Sequence, residues 1–194
     1  MIPTPYRFEP KFTPDEFMKL GQFACRWAHI EHTIGNCLRR LLDMEPSPAN
    51  IMVFPLSLDM RMRRIDDMTE IKPLRTDQNA LFLELKPLVL AMQWIRNTAL
   101  HGIVIAHDDG EPDHAAFYLR SKGRDLRKKD LLSCEDLINY TALVVRAFRL
   151  SLGEKEDDRG HSYTLPDRPS IPDFLPPDCR VFPKASTGGP LVRP

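Results

Sequence analysis

The chain has 194 residues, 27 acidic side chains against 27 basic ones, and a hydrophobic fraction of 42%. That suits one domain with an appendage and a sizeable core. Zero net charge excludes a bulk field for nucleic acid, so any such binding needs a local patch.

Residues 1–12 carry three prolines and no period, and read as an extended lead-in. Thr13-Pro14-Asp15-Glu16 then has the makings of a capping box, with proline in the first turn. Phe17, Leu20, Ala24, Trp27, Glu31, Ile34, Leu38 and Leu41 follow in alternating steps of three and four. This predicts one face of a helix running to about Met44. Glu31 interrupts that apolar face. Either the stripe rotates so that Glu31 meets solvent or a structural arginine, or Glu31 pairs with Arg96 or Asn97.

Glu45-Pro46-Ser47-Pro48 ends this helix. Ser57 or Asp59 can open a second one, with Leu58, Met62, Ile65 and Met68 inward and Arg61, Arg63 and Arg64 exposed. The basic trio reads either as a solvated face or as a phosphate-contacting patch. A third helix begins near Thr76–Gln78. Its buried stripe of Leu81, Leu85, Leu88, Met92, Ile95 and Ala99 keeps phase across Pro87, which predicts one kinked helix ending at Gly102. A neighbouring stripe, Leu83, Leu90, Trp94, Asn97 and His101, turns from apolar to polar.

Ile103–Ala106 and Ala115–Leu119 flank an acidic turn and predict a β-hairpin over about 103–119. Residues 120–130 are basic and loop-like. Ser133, with Asp136 three later, is expected to cap a fourth helix carrying Leu137, Thr141, Val144, Phe148 and Leu152. From Lys155 to Pro194 there are eight prolines in 40 residues, which predicts a tail that is disordered, or extended and draped on a neighbour. The expected organisation is thus a helical domain over 13–152 and a Pro-rich tail over 153–194.

Cys25, Cys37, Cys134 and Cys179 form no C-x-x-C pair, and three lie in helical patterns. They favour a reducing cytoplasm over a disulfide framework. No signal-peptide pattern opens the chain, and no run nears the ~18 apolar residues of a membrane span. His29 with His32, and His107 with His114, lack a third ligand at recognised spacing, so no metal site is expected. Glycine-rich phosphate loops, H-E-x-x-H and G-x-S-x-G are missing, so no cofactor is expected either.

The chemistry concentrates in Arg96-Asn97-Thr98-Ala99-Leu100-His101. A His⁺/His couple can shuttle a proton, and an arginine can hold a phosphate and stabilise its developing charge. Those are the needs of metal-independent RNA cleavage by the ribose 2′-OH. One imidazole is thin for both acid and base, and a two-fold dimer would double the set.

This segment resembles the R-N-x-x-x-H signature of the HEPN superfamily (higher eukaryotes and prokaryotes nucleotide-binding). Trp27 to Glu31 in the first helix is also similar to members of that group. The resemblance covers roughly residues 13–152 and implies an all-α bundle of four to five helices, here with a small β-hairpin insertion. It implies homodimerisation through the motif helices and, in active members, a metal-independent endoribonuclease acting as a toxin or against phage. By that resemblance Arg96 and His101 are catalytic, Asn97 orients the site and Glu31 supports it. An antitoxin or another protein would be a further partner. Toxins paired with a nucleotidyltransferase usually carry tyrosine two residues past the histidine, where this chain has Ile103. Two other expectations remain: a non-catalytic HEPN-like module binding nucleotide, nucleic acid or protein, and a structural dimer in which Arg96, Asn97 and Glu31 form a buried network fixing helix register.

Overall fold

The computed structural model describes residues 12–101, 103–105, 116–119, 124–153 and 165–181. These are mainly α-helical, in a bundle whose long members are α1 (Pro14–Leu41), α4 (Thr76–His101) and α6 (Glu135–Ser151). Shorter helices α2 (Pro46–Met52), α3 (Leu58–Ile71) and α5 (Lys128–Leu132) complete the set among the described residues. None of these helices is long and apolar enough to cross a membrane.

The capping box of α1 forms as its sequence dictates. Thr13 Oγ1 accepts from the Glu16 N–H, and the Glu16 carboxylate takes the Thr13 N–H at 2.7 Å. The same carboxylate holds buried Lys128 at 2.9 Å, tying the start of α1 to α5. Burial pushes the Glu16 carboxyl up, but the Thr13 N–H and Lys128 outweigh it and hold it below its ordinary range.

The inner face of α1 is Phe23, Trp27, Ile30, Ile34, Cys37, Leu38 and Leu41. Relative to the predicted stripe it is rotated: Ile30 and Cys37 come in, and Phe17 is exposed. The helix stops at Leu41, short of Met44, and Asp43 takes a positive φ of 50°. The turn of helix over Pro46–Met52 was not foreseen, because its two prolines read as punctuation, yet proline is well suited to a first turn.

Helix α6 packs against both α1 and α4 and so lies at the centre of the bundle. It runs antiparallel to α4: Gln78 Nε2 donates to the Ser151 carbonyl at 2.7 Å, while Tyr140 lies against Glu84. The whole predicted stripe of α4 is buried, and the helix is continuous through Pro87. Proline there removes the bond to the Leu83 carbonyl, and Leu83 sits on the exposed side, where water can replace it.

Two differences follow α4. Strand β1 (Ile103–Ile105) pairs antiparallel with β2 (Ala116–Leu119), and β2 pairs with a third strand, β3 (Arg124–Arg127), in what the sequence marked as a loop. Phe117 and Leu126 are register partners and both are buried, so one apolar pair anchors a segment whose other residues are polar. In addition, α6 begins at Glu135, with Cys134 as its N-cap residue. The Ser133 hydroxyl instead donates to the Asp130 carbonyl and closes α5.

Part of the Pro-rich tail is docked. Over 165–181 it is extended apart from one 3-10 turn (Pro177–Cys179), with Leu175 and Cys179 buried. Phe174 packs on Trp94 at 6.4 Å, and Arg168 meets the buried Glu84 carboxylate at 2.8 Å.

Candidate active site

Helix α4 is locked by its inner stripe, and its last two turns carry the polar group outward. Thr98, fully buried, returns its hydroxyl to the Trp94 carbonyl at 2.9 Å. Around it, Arg96 and Asn97 are half-buried and His101 is exposed. Arg96 Nη1 donates to Asn97 Oδ1 at 2.9 Å and lies 3.0 Å from His101 Nε2. The structure therefore brings three of the four sequence-predicted residues into one cluster.

A guanidinium can only donate, so in this contact His101 Nε2 is placed as the acceptor. Arg96 Nε is buried without a hydrogen-bond partner among the described residues.

Glu31 is elsewhere. No hydrogen bond or ion pair joins it to Arg96 or Asn97. Its carboxylate acts on Arg61, whose Nη1 also donates to the Glu31 carbonyl at 2.9 Å and whose Nη2 donates to the Phe54 carbonyl at 2.6 Å. Burial lowers the Arg61 guanidinium from its ordinary value, and the Glu31 charge opposes that shift. Of the two readings for Glu31, the structural arginine fits the observed contacts.

The α3 trio also divides. Arg61 is not exposed but ties α3 to α1. Arg64 pairs with Asp67 at 3.2 Å on the surface. Arg63 is exposed and has no ion pair or hydrogen bond among the described residues. Helix geometry held the signal for this, since residues two apart face nearly opposite ways. Arg61 and Arg63 could not both be outward.

The outer face of α4 carries Leu83, Leu90 and Leu100, which are 47%, 49% and 41% exposed. Leu100 adjoins His101 and gives the polar cluster an apolar edge. Among the described residues no group of three His, Cys, Asp or Glu side chains could hold a metal ion. His32 instead stacks on Phe54 at 5.0 Å. Gly102, His107 and His114 lie outside the described residues. No protein-family model, curated protein or solved structure matches the chain.

Proposed function

We propose that this chain is a HEPN-like, metal-independent endoribonuclease whose working unit is a homodimer joined at the ends of α4. The observation that carries the proposal is the Arg96–Asn97–His101 cluster, hydrogen-bonded together and open to solvent on one helix end. A structural network would bury these groups and saturate them. Here His101 is exposed and Arg96 and Asn97 are only half-buried.

Chemistry follows from the hydrogen-bond directions. A substrate phosphate offers Arg96 a stronger, charged acceptor than the ring, so it displaces Nε2. The freed lone pair can then take the proton of the ribose 2′-OH. The 2′-oxygen forms its bond to phosphorus as the bond to the 5′-oxygen breaks, leaving a 2′,3′-cyclic phosphate. Arg96 stabilises the extra charge on the non-bridging oxygens. The departing 5′-oxygen needs a proton, which the protonated His101 of a second copy would supply across a two-fold axis. Leu100 beside the cluster offers the apolar contact for that dimer. Asn97 holds Arg96 in place. Glu31, bound up with Arg61, has no part in these steps.

The test is incubation of the full chain with RNA in EDTA, beside Arg96→Ala and His101→Ala, with the RNA ends identified. Cleavage leaving cyclic phosphate ends, abolished by either substitution, is the expected result. Cleavage that both variants retain would place the activity elsewhere. RNA bound but never cut would favour the non-catalytic module.

A further inference from the structure

A groove of about 360 Å³ lies between α3 and α4, one to two turns before the polar cluster. Met62 and Leu90 give it apolar walls, and Gln93 closes the end nearer Asn97. Gln93, Asn97 and His101 are successive fourth residues on one helix face, so each step is roughly 6 Å along the axis. The groove and the cluster therefore lie along one face of α4.

Its charges are not spread evenly. Lys86 and Asp66 pair with each other through two contacts of 2.9 and 2.8 Å, so their charges offset within the groove. That leaves Arg63 and Asp59 on the wall, neither with an ion pair or hydrogen bond among the described residues. A simple anion would meet the Asp59 carboxylate, and a simple cation would meet Arg63. A neutral planar ring with donors on one edge and acceptors on the next suits both, with its faces against Met62 and Leu90. Guanine has that pattern: N1–H and N2–H donate to a carboxylate, while O6 and N7 accept from a guanidinium.

We propose that the α3–α4 groove is a guanine-binding subsite that seats the base of a nucleotide adjacent to the one cleaved. Asp59 reads its N1–H/N2–H edge, Arg63 its O6/N7 edge, and Gln93 lines the passage toward Asn97. This rests on the nuclease reading for its place in the reaction, but not for binding itself.

Two measurements separate the possibilities. The first is binding of GMP, AMP, CMP and UMP to the full chain, followed by ligand-observed NMR. GMP should bind preferentially. Asp59→Asn and Arg63→Gln should each weaken it by roughly ten-fold or more, the usual worth of a paired base contact. The second is cleavage of oligoribonucleotides carrying a single guanosine. The cut should fall at a fixed offset from that base, and Arg63→Gln should abolish the offset preference without abolishing cleavage. Equal binding of all four nucleotides, or GMP binding indifferent to both groove variants, overturns the subsite. Selective GMP binding without any cleavage supports the subsite and overturns the nuclease reading instead.

Discussion

Replacing Arg168 by methionine tests whether the docked tail segment is part of the folded bundle. Its guanidinium meets Glu84 at 2.8 Å, with side-chain exposures of 16% and 10%. Glu84 also accepts from the Tyr140 hydroxyl at 3.2 Å, so one neutral hydrogen bond would be left to a carboxylate inside the α4–α6 interface. Breaking a buried pair by removing one partner costs about 3–5 kcal/mol. Residual exposure and the remaining tyrosine bond bring this to about 2–3 kcal/mol. With a urea slope of about 2 kcal/mol/M, the unfolding midpoint should fall by roughly 1–1.5 M. Glu84→Gln in the same chain should recover more than about 1 kcal/mol, because the stranded charge is what destabilises. Trp94 fluorescence should report the loss of Phe174 as the segment detaches. An unchanged midpoint, or strict additivity of the two substitutions, would refute the buried pair and with it the docking of the tail.

Three other outcomes can be checked directly. On α1, Gly21→Ala meets nothing within 4 Å and should stabilise by about 0.5–1 kcal/mol, as alanine does in a helix. Gly35→Ala sets its Cβ 2.7 Å from a Phe54 ring held against His32, and should destabilise by about 1 kcal/mol net; matching midpoints in urea would refute the contrast. Burial first, and then the Glu84 carboxylate, push the Tyr140 phenol up to about 12 from its ordinary 10.0. Since the fold favours the protonated form, that stabilisation is whole below pH 10 and is lost as the pH rises toward 12; a phenolate absorbance titration with no late-titrating tyrosine would refute it. RNA affinity should fall only shallowly with salt, with a slope of about −1 to −2 for a dimer contacting phosphate through two copies of Arg96. A slope steeper than about −4 would require a cationic surface that the proposed site does not have.

How much was legible in the sequence depended on whether one helix could decide the question alone. The stripe of α4 kept phase from Leu81 to Ala99 because each position answers to a single helix geometry, and the structure buries every one. Arg96, Asn97 and His101 were equally local, being within two turns of each other. Glu31 was not. Its partner depended on which helix packs beside α1, and α3 rather than α4 supplies the charge it faces. Strand β3 was hidden for a related reason: its one buried residue so described, Leu126, finds its partner Phe117 only after the chain has turned back. Composition left two readings open for the tail, and the extended, draped one describes 165–181; proline density signals an extended chain but says nothing of whether Phe174 and Leu175 have a surface to cover.

The balance of charges takes on a different meaning once the pairs are assigned. Arg61 is turned into the protein, Arg64 is matched by Asp67, Lys86 by Asp66, Lys128 by Glu16 and Arg168 by Glu84. Several of the charges read from the sequence therefore hold elements of the fold together, while others pair on the surface. Among the groups left without such a pair on α3, which also include Glu70, Asp59 and Arg63 line the groove between α3 and α4. A strongly cationic nuclease would hold any RNA by its phosphates and gain little from reading a base. A neutral one has only its few local contacts with which to hold a strand, so base recognition must contribute to affinity itself. On the proposed function, neutrality is then no argument against RNA as substrate. It instead requires that a recognition groove lie within reach of the cleaving helix end, which is where the α3–α4 groove opens.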